Sequence, residues 1–250
     1  MKKAQTIYQQ GSHTWRIIAR DPDRPNYLID TNEYLISYGG KSILTDPGGM
    51  EIFPSVFTAI CAVCNPEDIV ALFASHQDPD IISSLSLWLE FNAELPCYIP
   101  WLWTGFIPHF GGKKDTFIPI PDSGMPIDLN GLQLKTIPAH YLHSSGNSNL
   151  YDPIAKILFS GDIGAALLPP EETNIFVVDF DRTIKAAEGF HRRWMGSNSA
   201  KLSWCERVIK LDIDMLCPQH GAIFQGADVE RFINWFAELE VGVLQSEMHG

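Results

Sequence analysis

The order of the apolar segments constrains the fold most strongly, because strand-like and helix-like runs follow one another in two similar blocks. The first block opens with runs that predict antiparallel strands: WRIIARD, NYLID, EYLISYG and KSILTDPG. A helix, a strand and a helix then follow in MEIFPSVFTAICAVC, DIVALFAS and DIISSLSLWLEFN. The second block has strands in TFIPIPD, PIDLNGLQLKTIPA, NSNLYD, KILFSGD and IFVVDF. Helices follow in RTIKAAEGFHRRWM, SAKLSWCERVIKLD and DVERFINWFAELEVGVLQ, with the strand MLCP between the last two. Two mostly antiparallel sheets, packed face to face with helices outside, bury such a pattern. We therefore predict an α+β fold, a four-layer αββα sandwich.

Composition and charge exclude several classes of protein. The 250 residues carry a net charge of −12 at pH 7, which repels phosphate backbones, so we expect no nucleic acid partner. No apolar run reaches the roughly 20 residues of a membrane helix, and the start MKKAQTIYQQGSH lacks the apolar segment of a secretory signal. The five cysteines form an odd, sparse set that fits a reducing compartment. We expect a cytoplasmic protein that does not bind a membrane.

The stretch ASHQDPDIISSL lies between a predicted strand and a predicted helix and carries three ligand-type side chains, those of His76, Asp78 and Asp80. An aspartate before an apolar-periodic run is also a common helix cap. This stretch alone is therefore compatible with a helix start and with a metal site.

Three predicted strands of the second block also end in residues that bind metals. His143 follows one strand, Asp162 follows another between Gly161 and Gly164, and His220 follows a third. A single histidine at a strand end is most often a hydrogen-bonded loop residue. Six such residues at strand ends instead indicate a metal site. Three carboxylates and three imidazoles without a thiolate suit iron or manganese.

The motifs around these residues resemble those of the metallo-β-lactamase superfamily. HQDPDI matches the superfamily pattern His-x-[His/Glu/Asp]-x-Asp-His except at its last position, TDPG matches the early motif, and HSSGN, FSGD and PQHG match later ones. Within the superfamily, the chain is similar to the diiron domain of flavodiiron proteins and to flavin-free oxygen-binding diiron proteins, from about Trp15 to Trp235. The resemblance implies a metallo-β-lactamase-like sandwich. It also implies that residues 1–250 form a single diiron domain without a flavodoxin domain.

The resemblance also implies a role for each candidate ligand. It assigns His76, Asp78 and His143 to a first iron, Asp80 and His220 to a second, and Asp162 to a bridge between them. The spacings of 67, 19 and 58 residues from His76 to His143, Asp162 and His220 in turn agree with the family. The cofactor implied is a pair of non-haem iron ions, with no flavin in this chain.

Ile81 is the main departure, because the family usually has a histidine there that binds the second metal. Isoleucine cannot coordinate, so one position on that metal is open, and we assign Ile81 to the wall of the ligand-binding position. The alternative is that Ile81 only packs the following helix and that the second metal is often absent.

The resemblance implies binding of dioxygen or another small diatomic ligand, in an oxygen or redox sensor or a carrier. One alternative is an oxidoreductase that reduces oxygen or nitric oxide with electrons from a separate donor, because the chain has no phosphate loop for FMN. Another is a hydrolase that uses a metal-activated hydroxide. A redox or signalling protein partner and a homodimer are implied by the resemblance alone.

Two further features of the sequence, the pair His140 and Tyr141 and the segment FHRRWMGSN, are each compatible with two interpretations. His140 and Tyr141 either support the ligands from the cleft side or belong to a solvated loop. The segment FHRRWMGSN resembles a stretch that lies beside the cleft in this family, but it also has the pattern of an amphipathic helix with a solvated basic turn.

Overall fold

A computed structural model of the chain describes residues 1–21, 23 and 28–243, except for the side chain of Lys114. Its first sheet has seven strands in chain order: β1 (Ala4–Gln10), β2 (His13–Ile18), β3 (Glu33–Tyr38), β4 (Lys41–Thr45), β5 (Ile69–Phe73), β6 (Cys97–Pro100) and β7 (Phe117–Ile120). Its second sheet has six strands: β8 (Pro126–Leu129), β9 (Leu132–Pro138), β10 (Ser148–Asp152), β11 (Ile157–Gly161), β12 (Met215–Pro218) and β13 (Phe224–Gln225).

The described residues form six α-helices: α1 (Phe53–Cys61), α2 (Pro79–Ile82), α3 (Leu85–Phe91), α4 (Phe180–Trp194), α5 (Asn198–Val208) and α6 (Ala227–Glu238). Side chains cap the starts of two of them. The Asp179 carboxylate accepts the Arg182 amide at the start of α4, and the Ser197 hydroxyl accepts the Ala200 amide at the start of α5. The described part of the chain contains no helix that is both long and apolar enough to span a bilayer.

The layers follow from the two-residue period of the strands, which sends neighbouring side chains to opposite faces. On β3, Tyr34 points into the core between the sheets and Leu35 into the core under α1 to α3. On β11, Phe159 points between the sheets and Leu158 into the core under α4 to α6. Three cores therefore separate four layers, and the predicted αββα sandwich of the metallo-β-lactamase type is confirmed.

The structure corrects several predicted elements. β1 was not predicted, residues 28–30 of NYLID form no strand, and the rest of that segment lies outside the described residues. TFIPIPD forms β7, which joins the first sheet next to β6 rather than the second. IFVVDF makes only a bridge between Phe176 and Ile223 before α4 begins.

The first sheet is also less antiparallel than predicted. Its pairs from β1 to β4 are antiparallel, whereas those from β4 to β7 are parallel. The cause is that each of these strands follows a crossover, which brings the next strand back in the same direction: α1 connects β4 to β5, α2 and α3 connect β5 to β6, and a segment with three short 3-10 helices connects β6 to β7. The expectation of one diiron domain without a flavodoxin domain stays a prediction.

The strand directions bring the ligand-bearing loops to one edge. β9 and β11 both pair antiparallel with β10, and β12 runs parallel to β11. The C-terminal ends of β9, β11 and β12 therefore lie at the same edge of the second sheet. The loops that follow these strands carry His143, Asp162 and His220.

Candidate metal centre

The first predicted ligand group comes together from both sheets. His76 and Asp78 follow β5, and His143 follows β9. The Asp78 Oδ2 atom lies 3.3 Å from His143 Nε2 and 3.7 Å from His76 Nε2. One donor atom of each of the three residues lies within 4.8 Å of the others, which is a spacing that a single metal ion can bridge.

The second predicted ligand pair lies beside the first group. His220 Nε2 is 3.5 Å from Asp80 Oδ2, and Asp80 is the first-turn acidic residue of α2. The His220 side chain is nearly buried, whereas that of Asp80 is about one-third exposed at the cleft.

Asp162 lies between the two groups. Its Oδ2 atom is 2.9 Å from His143 Nε2 and 3.8 Å from His76 Nε2, while its Oδ1 atom is 3.4 Å from His220 Nε2. The two oxygens of one carboxylate therefore face different histidines, which is the arrangement that a bridge between two cations requires.

The turn that presents Asp162 depends on its glycines. Gly161 and Gly164 have φ angles of +55° and +97°, which residues other than glycine rarely adopt. A Cβ atom on Gly161 would also lie 3.2 Å from the Ser75 side chain, in the loop that precedes His76. The positive φ angle and the close approach of the two loops both favour glycine at that position.

Asp78 occupies the N-cap position of α2, but its side chain makes no capping hydrogen bond. Its carboxylate instead faces His76 and His143. Asp78 therefore starts the helix by its position in the chain, while its carboxylate is placed to bind a metal together with the two histidines.

A hydrogen-bond chain orients His76. The Ser75 hydroxyl donates to Asp46 Oδ2 at 2.8 Å, and the Ser75 amide donates to Asp46 Oδ1 at 2.7 Å. The Ser75 hydroxyl oxygen lies 2.9 Å from His76 Nδ1 and accepts its hydrogen. This fixes the tautomer in which Nε2 keeps its lone pair, as is usual for histidine ligands.

His220 is oriented by the segment between β2 and β3. Its Nδ1–H donates to the Asp30 carbonyl at 2.6 Å, which again leaves the Nε2 lone pair for the site. The Asn32 side-chain amide donates to the carbonyls of Pro218 and Gly221, on either side of His220. The first sheet therefore holds a ligand loop of the second.

Gln77 links the loops of two other predicted ligands. Its side-chain amide donates to Asp78 Oδ1 at 2.9 Å, and its side-chain carbonyl accepts the Ser144 hydroxyl at 2.7 Å. Ser144 directly follows His143, so Gln77 couples the positions of Asp78 and His143.

The imidazoles and carboxylates of the site shift one another's pKa values. Burial opposes ionisation of Asp162, but His143 and His220 outweigh it and hold the pKa of this carboxyl well below its usual range. Burial likewise lowers the pKa of both histidines, but the facing carboxylates outweigh it and raise the pKa of His143 to about 10 and that of His220 to about 9. The imidazoles and carboxylates of the site therefore stabilise one another electrostatically.

A cleft of about 390 Å³ opens over these residues. Its walls are mainly apolar, and its floor carries the acidic and imidazole groups: Leu28, Ile29, Thr31, Gly49, Glu51, Ile52, Asp78, Pro79, Asp80, His143, Asp162, Leu167, Phe190, Trp194 and His220. The described residues of this lining include no lysine or arginine.

Ile81 lies beside the ligand loop, at the start of α2. Its side chain is fully buried in the core under α1 to α3, and it is not among the described residues that line the cleft. This placement favours the packing interpretation. A role for Ile81 at an open position of the second metal stays a prediction.

Of the two neighbouring features, His140 and Tyr141 lie outside the cleft, whereas the segment FHRRWMGSN contributes to its wall. His140 lies 3.2 Å from the Asp122 carbonyl and Tyr141 is half exposed, and neither lines the cleft, so both belong to the loop surface. In contrast, Phe190 and Trp194 of the segment FHRRWMGSN line the cleft. Both rings pack edge-on against His143, at centroid distances of 6.1 and 5.3 Å.

The supporting residues Ser75, Gln77 and Asn32 were not identified from the sequence. Asp46 lies in the recognised TDPG motif, which gives it a sequence signal without revealing its partner. Each of the others also bonds to a residue that only the fold brings near, so no local pattern reveals its role.

Comparison with protein families and solved structures gives consistent matches. The model of a family described as "ODP family beta lactamase" matches residues 29–221. A structure described as a peroxy diiron species of chemotaxis sensor ODP is 39% identical, with a TM-score of 0.85 and 96% of each chain covered. The apo state of chemotaxis sensor ODP from T. denticola is 38% identical, with a TM-score of 0.88 and the same coverage.

Two more distant matches are a solved structure, which shares the fold, and a relative found by sequence. Rubredoxin oxygen:oxidoreductase from Desulfovibrio gigas is 18% identical with a TM-score of 0.82, over 94% of this chain and 61% of that one. An uncharacterized protein of Methanocaldococcus jannaschii is 24% identical over 242 residues, or 92% of this chain. The chain spans 58% of the length of that curated relative.

Proposed function

The chain belongs to the ODP family of beta lactamases, and from this membership and the site geometry we propose that it is a non-haem diiron protein that binds dioxygen as a sensor. The observation that carries the proposal is the position of the Asp162 carboxylate, with Oδ2 at 2.9 Å from His143 Nε2 and Oδ1 at 3.4 Å from His220 Nε2. Such a carboxylate can hold one cation on each side.

The side chains present fit a pair of metal ions. His76 Nε2 and Asp162 Oδ1 are buried, and neither has a hydrogen-bond partner in the described part of the chain. Buried polar atoms without partners are costly, so a bound cation explains both. His76, Asp78 and His143 would hold the first ion, Asp80 and His220 the second, and Asp162 both. The oxygen- and nitrogen-rich donor set suits iron.

Bound ferrous iron would supply the electrons and the open coordination position that dioxygen needs. The protein contributes the surroundings. Phe190 and Trp194 shield the His143 ring, and apolar side chains such as Ile52 and Leu167 line the way in. Such walls favour entry of a small uncharged molecule over that of a hydrated ion.

The charge of the cleft favours this function over hydrolysis. Its described lining has four carboxylates and no lysine or arginine that could bind the carboxylate or phosphate group of a typical hydrolysed substrate. A reductase of oxygen or nitric oxide remains the second candidate. It has the same metal site and differs only in needing a separate electron donor.

The relatives named as chemotaxis sensors extend the proposal to signalling. We propose that the oxygen-bound and oxygen-free forms are read by a signalling protein partner. The homodimer and the cytoplasmic location implied by the resemblance are further proposals.

Purification without oxygen, followed by elemental analysis and absorption spectroscopy, tests the proposal. We expect two irons per chain and a new absorption band when air is admitted. The matched control is the same protein loaded with zinc, which should show no band. Iron-free protein that binds only zinc and turns over an ester or a β-lactam would instead support the hydrolase.

A further inference from the structure

We infer that His191 of α4 is a positioning residue of the candidate metal centre, because its ring accepts the Gly164 amide and so holds the turn that presents Asp162. This inference rests on the proposed diiron function, since it concerns the placement of the bridging carboxylate. His191 belongs to the segment FHRRWMGSN, but none of the candidate ligand motifs includes it.

The hydrogen bonds of His191 define a single protonation state. Its Nδ1 atom lies 2.8 Å from the Ala187 carbonyl, which can only accept, so Nδ1 carries the hydrogen. Its Nε2 atom lies 3.0 Å from the Gly164 amide, which can only donate, so Nε2 presents its lone pair. Burial favours the same neutral form, because it lowers the pKa of His191 to about 4.

The ring is enclosed and cannot turn away from Gly164. His191 has no exposed surface, and aromatic rings of α4 and α6 surround it at centroid distances of 5.1 to 5.9 Å: Phe190, Phe232, Trp235 and Phe236. A rigid acceptor therefore meets the turn from the α4 side.

The other side of the turn is equally confined. A Cβ atom on Gly164 would lie 3.0 Å from the Leu216 side chain, so the Gly164 backbone is packed against β12. Within the turn, the Ala165 amide donates to the Asp162 carbonyl at 3.0 Å, and the Ala166 amide donates to the His220 carbonyl at 3.3 Å. A shift of the Gly164 amide therefore moves the backbone that carries Asp162 and the contact to His220.

The alternative is a purely structural role, in which His191 only fills the core between α4 and α6. Two variants separate the roles. His191→Phe keeps a ring in the core and removes the acceptor. His191→Gln loses ring packing but brings a carbonyl oxygen to about the place of Nε2. If His191 positions the turn, His191→Phe should bind metal more weakly than His191→Gln. If His191 only fills the core, His191→Gln should be the weaker variant in both metal binding and stability.

The test measures ferrous iron affinity by anaerobic titration against a competing chelator, and thermal unfolding of the metal-free proteins. We expect His191→Phe to bind iron about tenfold more weakly than the wild type, a loss typical of residues that support metal ligands. His191→Gln should stay closer to the wild type in affinity although its metal-free form unfolds at a lower temperature. His109→Phe, at an exposed histidine, is the matched control and should change neither quantity.

The inference would be overturned if His191→Phe bound iron as tightly as the wild type. It would also be overturned if the variant with the lower unfolding temperature were always the one with the weaker iron affinity. A wild-type protein that binds no iron pair refutes the proposed function instead, and so separates the two failures. Where His191→Phe does not fold, His191→Met takes its place. If neither folds while His191→Gln does, His191 serves the fold and the inference is wrong.

Discussion

Asp162 joins the two ligand groups through a carboxylate whose oxygens face opposite directions. An imidazole offers a single lone pair to one ion, whereas a carboxylate can bind one ion through each oxygen. The two cations that we propose therefore depend on this side chain together, while each depends separately on the histidines of its own group.

Replacing Asp162 by Asn should remove both irons. The amide keeps the size of the side chain but loses its charge and one acceptor oxygen. Elemental analysis of protein prepared without oxygen should show iron falling from two per chain to nearly none. Asp181→Asn, at an aspartate with 93% side-chain exposure, should retain both. One iron kept at full occupancy in Asp162→Asn would show that Asp162 is not a bridge.

Replacing Ile81 by His tests the departure from the family motif. Because Ile81 is fully buried in an apolar core, the change should lower the free energy of unfolding of the metal-free protein by roughly 2–4 kcal/mol. If the imidazole reaches the second metal, iron there binds more tightly and the oxygen-dependent absorption decays faster. Ile82→His is the matched control, because Ile82 is equally buried one position further along α2. Equal losses without any gain of iron would make Ile81 a core residue only.

At the scale of elements, the sequence predicted what local periodicity and turn residues encode. The runs around β2, β3 and β4, the strand β5 and the helix α4 were predicted for this reason. Partner choice was not: β7 joins the first sheet through parallel pairing with β6, which no local pattern specifies. The ligand residues could be found because they belong to motifs at strand ends. Ser75, Asn32 and His191 could not, because their partners are backbone groups or side chains that only the fold brings near.

His191 of helix α4 should make the free energy of unfolding depend on pH. The pKa of His191 is about 4 in the folded chain and near 6.5 in the unfolded chain, so only the unfolded state takes up a proton between these values. The stabilisation is complete above about pH 6.5 and is lost as the pH falls towards 4. Over that range it amounts to about 3 kcal/mol.

Denaturant unfolding of the metal-free protein at several pH values measures this dependence. The wild type should lose stability more steeply between pH 6.5 and 4.5 than His191→Gln, whose side chain does not titrate. His109→Gln, at an exposed histidine, should follow the wild type. Parallel curves for the wild type and His191→Gln would show that His191 does not resist protonation in the folded state.

At the scale of the whole molecule, polar groups connect the two sheets at both ends of the sandwich. At one edge, Asp152 at the end of β10 accepts hydrogen bonds from His13 and Trp15 of β2, each at 2.7 Å. The candidate metal centre lies at the other edge, where loops of the first sheet meet those of the second. Metal binding would therefore tie the sheets together as well as create the ligand site.

Anomalous diffraction at the iron edge, from crystals grown without oxygen and loaded with ferrous iron, tests the diiron centre most directly. We predict two peaks about 3.5–4 Å apart, one beside His143 and one beside His220, with the Asp162 carboxylate between them. A single peak beside His143, with Asp162 bound through one side only, would contradict the diiron centre.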